Sequence, residues 1–343
     1  MDFPRRLVAP LVVQEFDDDS VTEAAQHHLP LAVLLLGPTG SGKTALALKL
    51  GEHIARAYGS GRPEGAEIVS CDSVAVYRGM DLGSAKPSRE EQLRLPHHLI
   101  DVTDPDQPFT AGEYSRQARA AMRAIAGRNR LPVVTGGTGL YLRALTLGLF
   151  AGPTRNEDLR ARLVRSDQRH QGSWLHRLLT RLDPVSASRI HANDTPKLLR
   201  ALEVSLTAGR SMSEALATGR DPLTGFRLLR IGLNPKRLKL YDRLNCRAEV
   251  MFSAGLVEET RGLLERFGAA KAFDALGYRQ ARAVITGEMT EAEAITATQQ
   301  GHRNYAKRQL TWFRREPDVH WIEDFGDTSA AFDQASGLVA THL

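Results

Sequence analysis

The stretch from Leu34 to Leu48, LLLGPTGSGKTALAL, constrains this chain more than any other. An apolar run reads as a buried strand, a glycine-rich octet follows, and a pattern of helical period comes after it. Gly37-Pro38-Thr39-Gly40-Ser41-Gly42-Lys43-Thr44 satisfies GxxxxGK[ST] in full, in the strand, loop and helix setting that the motif requires. At average composition its fixed positions match by chance in about one chain in a hundred, before the setting is counted. The glycines let backbone N–H groups turn inward around phosphate oxygens, and the helix starting at Lys43 directs its positive end to the same place. Lys43 adds a point charge, and Thr44 is the expected ligand of a phosphate-bound Mg²⁺. The loop specifies phosphate but not a reaction. Nucleoside triphosphatases normally carry an apolar run ending in a magnesium-holding Asp. The nearest candidate here is AEIVSCD, in which Ser70 and Cys71 separate the run from Asp72.

Strand-like runs recur at LAVLLLG, AEIVSCD, LPVVTGG, FRLLRIGLN and VHWIED, separated by helical patterns. Such alternation implies parallel crossovers, hence an α/β fold: a P-loop-type layered core with a parallel sheet. In FTAGEYSRQARAAMRAIAGRN, Thr110 and Glu113 form a capping-box pattern and Gly127 is placed to end the helix. Strand signals stop between 151 and 196, where arginine-rich amphipathic patterns predict an inserted all-helical subdomain. The core is then 31–150 with 197–343, and residues 1–30 read as a ragged extension.

With 42% hydrophobic and 25% charged residues the composition is that of an ordinary soluble globule. Cys71 and Cys246 lie far apart without CxxC spacing or nearby ligand sets, so neither a disulfide framework nor a zinc site is suggested, and both read as packing residues. A reducing cytoplasm is the expected location. No apolar stretch approaches the roughly 20 residues that span a bilayer, so no membrane association is expected. His97, His98 and Asp101 invite a metal reading, but adjacent residues of a strand point to opposite faces, which favours structural hydrogen bonds.

Asp72 follows a predicted strand, on the edge where open α/β sheets bind ligands. A second strand ends in Thr135-Gly136-Gly137-Thr138-Gly139, and the Thr138 hydroxyl is expected to face the same crevice. A carboxylate and a hydroxyl beside a phosphate cradle suit transfer onto a neutral nucleophile that must lose a proton. On spacing alone Asp72 serves equally as a magnesium ligand or a cap, and Thr138 more readily as a cap. Net charge is a mild +5, from 45 Lys plus Arg against 40 Asp plus Glu, so its distribution matters more. From Ala294 to Arg315 there is no acid, while Arg303, Lys307, Arg308, Arg314 and Arg315 are basic. At about 100° per residue Arg303, Lys307 and Arg314 share a face, and Tyr305 and Trp312 are expected on an opposite, core-facing side. Arg160 and Arg165 of the insertion are candidates for a second basic wall.

These residues resemble the tRNA dimethylallyltransferases, or tRNA isopentenyltransferases, over roughly 31–322. The likeness rests on GPTGSGKT, DSVAVYRGMDLGSAKP, PHHLIDV, VVTGGTGLYLRAL, RIHANDTPKLLRALEV, ALGYRQ and YAKRQLTWFR, in that order. The resemblance implies transfer of a dimethylallyl group from dimethylallyl diphosphate to N6 of the adenine 3′ of certain anticodons, with Mg²⁺ as cofactor. It implies Asp72 as general base, Thr138 as its assistant, and Arg243 of YDRLNCR as a diphosphate ligand beside the phosphate loop. It places tRNA contacts at Asp72, Ser73, Val74, Ala75, Thr138, Arg160, Pro196, Lys197, Leu198, Leu199, Arg200, Asp274, Gly277, Tyr278, Arg279, Lys307, Arg308 and Arg314. The expected partners are a tRNA anticodon arm and dimethylallyl diphosphate, with the protein acting as a monomer. Ala75 stands where the family often has glutamine, and Ala192 where it often has proline. The C-terminal part lacks the residues of a zinc finger found on eukaryotic relatives, so a bacterial-type cytoplasmic enzyme is expected. Three competing readings remain: a small-molecule kinase, a prenyltransferase of free adenine nucleotides, and a non-catalytic RNA-binding protein. The kinase and free-nucleotide readings leave the acid-free helix unexplained, and the last leaves Lys43, Thr44, Asp72 and Thr138 without purpose.

Overall fold

The computed structural model describes residues 29–57, 62–150, 152–170, 172–217 and 219–343. Of the extension expected at 1–30, all but Leu29 and Pro30 therefore lies outside the described residues. The strands are β1 (Leu31–Leu36), β2 (Ala66–Cys71), β3 (His97–His98), β4 (Leu131–Gly136), β5 (Arg227–Leu233) and β6 (Val319–Ile322). The helices are α1 (Lys43–Ala57), α2 (Arg89–Arg94), α3 (Ala111–Gly127), α4 (Gly139–Thr146), α5 (Glu157–Arg169), α6 (Trp174–Leu182) and α7 (Pro184–Ala187). They continue with α8 (Thr195–Ala208), α9 (Met212–Ala217), α10 (Arg237–Ser253), α11 (Leu256–Phe267), α12 (Tyr278–Ile285), α13 (Glu291–Phe313) and α14 (Ser329–His342).

All strands pair in parallel, in the order β3-β2-β4-β1-β5-β6. The apolar run of β1 is continuous because both of its faces are covered. Leu31, Val33 and Leu35 pack against Leu46, Leu50 and Ile54 of α1 and Val339 of α14. Ala32, Leu34 and Leu36 pack against Tyr114 and Met122 of α3 and Leu142 of α4. Parallel pairing sends every strand's C-terminal end to one edge. Cys71 pairs with Gly136 and Leu36 with Gly232, so the segments after β1, β2, β4 and β5 emerge side by side.

The cap expected for α3 forms by half. Thr110 Oγ1 accepts the Glu113 N–H at 3.1 Å, while the Glu113 carboxylate turns to Arg116 and Gln117. Thr290 and Glu293 complete a reciprocal box at the start of α13.

The helical block from α5 onward buries its own cluster of Leu163, Leu175, Leu179 and Ala187. Leu198, Leu199 and Leu202 of α8 belong to that cluster, so the block extends past its expected end at residue 196. A period of 3.6 residues tells that a helix has an apolar face, not which neighbour covers it. A further cluster joins Met80 to α10, α11, α12 and α13 through Phe252, Leu256, Tyr278 and Ala294. Cys71 is buried as expected, but Cys246 is exposed on α10. His98 Nε2 meets Glu67 Oε2 at 2.6 Å and His97 Nδ1 meets the Leu95 carbonyl at 2.7 Å, the structural hydrogen bonds anticipated for this pair. Among the described residues no helix is long and apolar enough to cross a membrane.

Candidate active site

The phosphate loop turns at glycines whose conformation excludes side chains. Gly40 has φ +77° and Gly42 φ +88°, and a Cβ on Gly42 would stand 2.9 Å from the Gly326 nitrogen. Lys43 Nζ donates to the Gly37 and Pro38 carbonyls at 2.8 Å each, so the cation lies folded over its own loop. Burial, reinforced by Arg247 and opposed by the charge of Asp72, pushes the Lys43 pKa down to about 7. Ser41 Oγ is buried without a hydrogen-bond partner in the same loop. Orphaned donors of this kind are what a phosphate oxygen satisfies.

Asp72 begins the turn after β2. Its Oδ1 accepts the N–H groups of Val74 at 2.8 Å and Ala75 at 3.2 Å, and its Oδ2 carries no hydrogen bond among the described residues. One oxygen thus builds the turn while the other stays available at the crevice that Asp72 lines. Thr138 stands at the start of α4, yet its hydroxyl makes no cap hydrogen bond. It accepts the Ser73 N–H at 3.0 Å and donates to Ser73 Oγ at 3.3 Å. The hydroxyl is thus engaged in the turn that holds Asp72, and it also neighbours Tyr305, which like Ser73 lines the crevice.

Arg243, expected beside the phosphate loop, lies there and is paired with an acid. Its guanidinium grips Asp327 at 3.2 and 2.9 Å, reaches the Gly40 carbonyl at 3.5 Å and lies 4.0 Å over the Phe325 ring. Gly326 N–H in turn donates to the Ser41 carbonyl at 2.8 Å. Arg243 therefore clamps the segment around 325–327 against the outside of the phosphate loop. Arg247, one turn further along α10, lines the crevice, where its Nε is buried without a partner. Burial lowers the Arg247 pKa and the Asp72 charge opposes that, which places the guanidinium within electrostatic reach of the carboxylate. Arg247 was legible only as the second arginine of YDRLNCR.

The crevice measures about 1640 Å³. Small-molecule sites hold roughly 300–1,000 Å³, so it has room for part of a macromolecule. Its walls include Thr39, Asp72, Ser73, Val74, Arg160, Arg200, Asp274, Arg279, Tyr305 and Arg308. Arg160 and Arg200 are held by Glu203, which is 0% exposed. Arg160 binds it with Nε at 3.0 Å and Nη2 at 2.9 Å, Arg200 with Nη1 at 2.6 Å, and the Asn156 N–H adds a fourth bond at 2.6 Å. Burial alone raises a carboxyl pKa, but these donors outweigh it and hold Glu203 down at about 2. Arg165 is exposed and does not line the crevice.

Other expected contacts lie outside the crevice lining. Leu198 and Leu199 are buried in the helical cluster, and Ala75 is buried with its N–H on Asp72. Tyr278 is fully buried with its hydroxyl on Glu259 at 2.6 Å, and Gly277 donates to Gln280 at 2.9 Å. Pro196 and Lys197 occupy the exposed first turn of α8, outside the crevice lining. Lys307 on α13 and Arg314 just after its end are exposed as expected, whereas Arg303 is tied to Asn245 and Gln300. Its aromatic side is not the core face: Tyr305 lines the crevice and Trp312 is 36% exposed beneath Arg143. The buried face of α13 is Ala294, Thr298, His302, Ala306, Gln309 and Phe313.

A family model described as IPP transferase matches residues 75–316. The chain is 55% identical to a tRNA dimethylallyltransferase of Koribacter versatilis over 91% of its own length and 99% of the relative's. The chain belongs to the tRNA dimethylallyltransferase family. A second relative of the same name, from Solibacter usitatus, is 51% identical over 92% of this chain and 99% of its own. The fold matches the solved tRNA isopentenylpyrophosphate transferase of Bacillus halodurans with TM-score 0.65 and 34% identity, covering 91% of this chain and 96% of that one. Membership makes the chain a transferase, and it explains why a phosphate loop opens onto a crevice far larger than a nucleotide.

Proposed function

We propose that this transferase moves a dimethylallyl group from dimethylallyl diphosphate to N6 of the adenine 3′ of the anticodon in certain tRNAs, releasing diphosphate. The observation that carries this reading is the convergence, at one sheet edge, of a phosphate loop, an available Asp72 oxygen and a crevice walled by arginines. In the transfer a bond forms between N6 and the allylic carbon as the carbon–oxygen bond breaks, and the diphosphate leaves with the electron pair. The amine proton passes to Asp72 Oδ2. Negative charge grows on the leaving oxygen, so the loop N–H groups, Lys43 and Arg247 act more strongly on the transition state than on the ground state. Thr138 keeps Asp72 in register through Ser73. A target base must leave the anticodon stack to reach Asp72, and the size of the crevice accommodates an extruded nucleotide with its neighbours.

No group of three or more His, Cys, Asp or Glu able to cage a metal occurs among the described residues. The donor set fits Mg²⁺ carried by the diphosphate, since that ion keeps several waters and takes only one or two protein ligands. Thr44, with its hydroxyl at the start of α1, is the residue that would hold it, and the bound ion would supply charge to the departing diphosphate. We place the protein in the cytoplasm, acting as a monomer on the anticodon arm.

Incubation with radiolabelled dimethylallyl diphosphate and either unmodified tRNA or AMP tests the reading. Label in tRNA alone supports it, label in AMP assigns the free-nucleotide reaction, and no transfer to either overturns it.

A further inference from the structure

The phosphate loop, the loop after β4 and α13 meet at one side chain, Gln309, which is 4% exposed. Its Oε1 accepts the Thr39 N–H at 2.8 Å and its Nε2 donates to the Gly137 carbonyl at 2.8 Å. The orientation of the amide is dictated, because the Thr39 N–H can only donate and the Gly137 carbonyl can only accept. Contact around it is close. A Cβ on Gly137 would stand 2.0 Å from Gln309 Nε2, and one on Gly139 would stand 2.8 Å from the Trp312 ring. Tyr305 Oη adds a longer hydrogen bond to the Gly137 carbonyl at 3.4 Å. Thus α13 stands directly on the loop that carries Thr138 and reaches through it to the phosphate loop.

Its nearest substitutes do not do both jobs. Asparagine is shorter by one methylene, glutamate turns an oxygen toward the Gly137 carbonyl, and methionine fills the space with neither bond. Immediately before Gln309, Lys307 and Arg308 are exposed, and Arg308 lines the crevice. The same turn of α13 therefore presents one cation, Arg308, to the crevice and a buried amide to the diphosphate cradle.

We propose that Gln309 is a positioning residue that couples engagement of RNA by α13 to binding of diphosphate at the phosphate loop. The proposal rests on the tRNA reading above and adds a direction of communication to it. RNA held by the cations of α13 fixes the helix, Gln309 then fixes Thr39 in the loop, and the cradle is set before the donor is cleaved. Coupling of this kind is reciprocal, so a filled cradle also tightens RNA binding.

The test titrates inorganic diphosphate with Mg²⁺ into the full chain, with and without an unmodified anticodon stem-loop, by calorimetry. In the wild type the RNA is expected to tighten diphosphate about fivefold or more, the lower end of typical coupling. In Gln309→Ala and Gln309→Met each ligand still binds alone, but the enhancement falls to within about twofold of none. In turnover assays both variants raise KM for dimethylallyl diphosphate at saturating tRNA more than they lower kcat, a split that loss of folded protein does not produce. Should Gln309→Ala unfold, the near-isosteric Gln309→Met carries the comparison. An enhancement that survives both substitutions overturns the coupling. Wild-type transfer to tRNA combined with diphosphate affinity indifferent to RNA also overturns it while leaving the functional reading intact. Failure of the wild type to label tRNA removes the functional reading itself.

Discussion

Arg243 and Arg247 lie one helical turn apart on α10, yet Arg243 is bound to Asp327 while Arg247 borders the crevice with its Nε unpaired. Their substitutions are therefore expected to differ in kind. Arg247→Ala removes a donor from the leaving diphosphate and lowers kcat about 10²–10³-fold, as loss of one preorganised donor does elsewhere. Arg243→Ala loosens the clamp on the phosphate loop and raises KM for the donor with a smaller loss of kcat. Steady-state kinetics with both variants decides, and equal losses would remove the distinction.

Asp72→Asn separates turn from base. Asparagine retains an oxygen for the Val74 and Ala75 N–H groups but cannot take a proton at N6. Transfer is expected to fall about 10²–10⁴-fold, with tRNA affinity and melting temperature unchanged. Asp72→Ala loses the turn as well and should weaken RNA binding.

Lys43 supplies a pH signature. With its pKa held at about 7 by burial, Lys43 loses its proton in the free protein as pH rises through neutrality. A bound diphosphate brings opposite charge and raises that pKa again. Binding above pH 7 is thus expected to take up a proton, and affinity to fall as pH rises, approaching about tenfold per unit. Calorimetry in buffers of different ionisation enthalpy measures the uptake. Lys43→Met should bind weakly and lose this component.

Glu203 anchors the arginine wall. Its pKa of about 2 is well below the ordinary carboxyl value of 4.5, so its contribution to stability is complete above pH 4.5 and lost as pH falls toward 2. Glu203→Ala leaves Arg160 and Arg200 without their buried partner, and breaking such a pair costs about 3–5 kcal/mol. Denaturant unfolding at pH 7 and at pH 3 checks both statements, with a smaller difference between variant and wild type at the lower pH.

Lys307, exposed on α13, and Arg314, exposed at its C-terminal cap, are expected to contact phosphates. Replacing both with alanine should reduce the slope of log K for tRNA against log salt by about 1.4–1.8, given about 0.7–0.9 per contact. An unchanged slope returns both residues to an ordinary solvated face.

The local chemistry of the site was readable along the chain. GPTGSGKT needs only its own glycines, the preceding strand and the following helix, and Asp72 and Thr138 follow strands whose parallel pairing the alternating pattern implied. A continuous apolar run marked β1, because a strand covered on both faces cannot alternate, and shorter apolar runs marked β2 and β4. What could not be read was the partner across space. Tyr278, Leu198 and Leu199 look no different in sequence from residues that meet a ligand, and only their packing buries them.

By itself, then, the order of residues determined the phosphate loop, the parallel core, the place of Asp72 at the end of β2 and the basic character of α13. These depend on periodicity and on contacts within a few residues. The tertiary structure alone decided that Arg247 rather than Arg243 meets the crevice, that Thr138 serves the Asp72 turn, and that Gln309 spans to Thr39, 270 positions away. Helical period assigns a face but not the neighbour that covers it, and that choice is made only when the whole core closes.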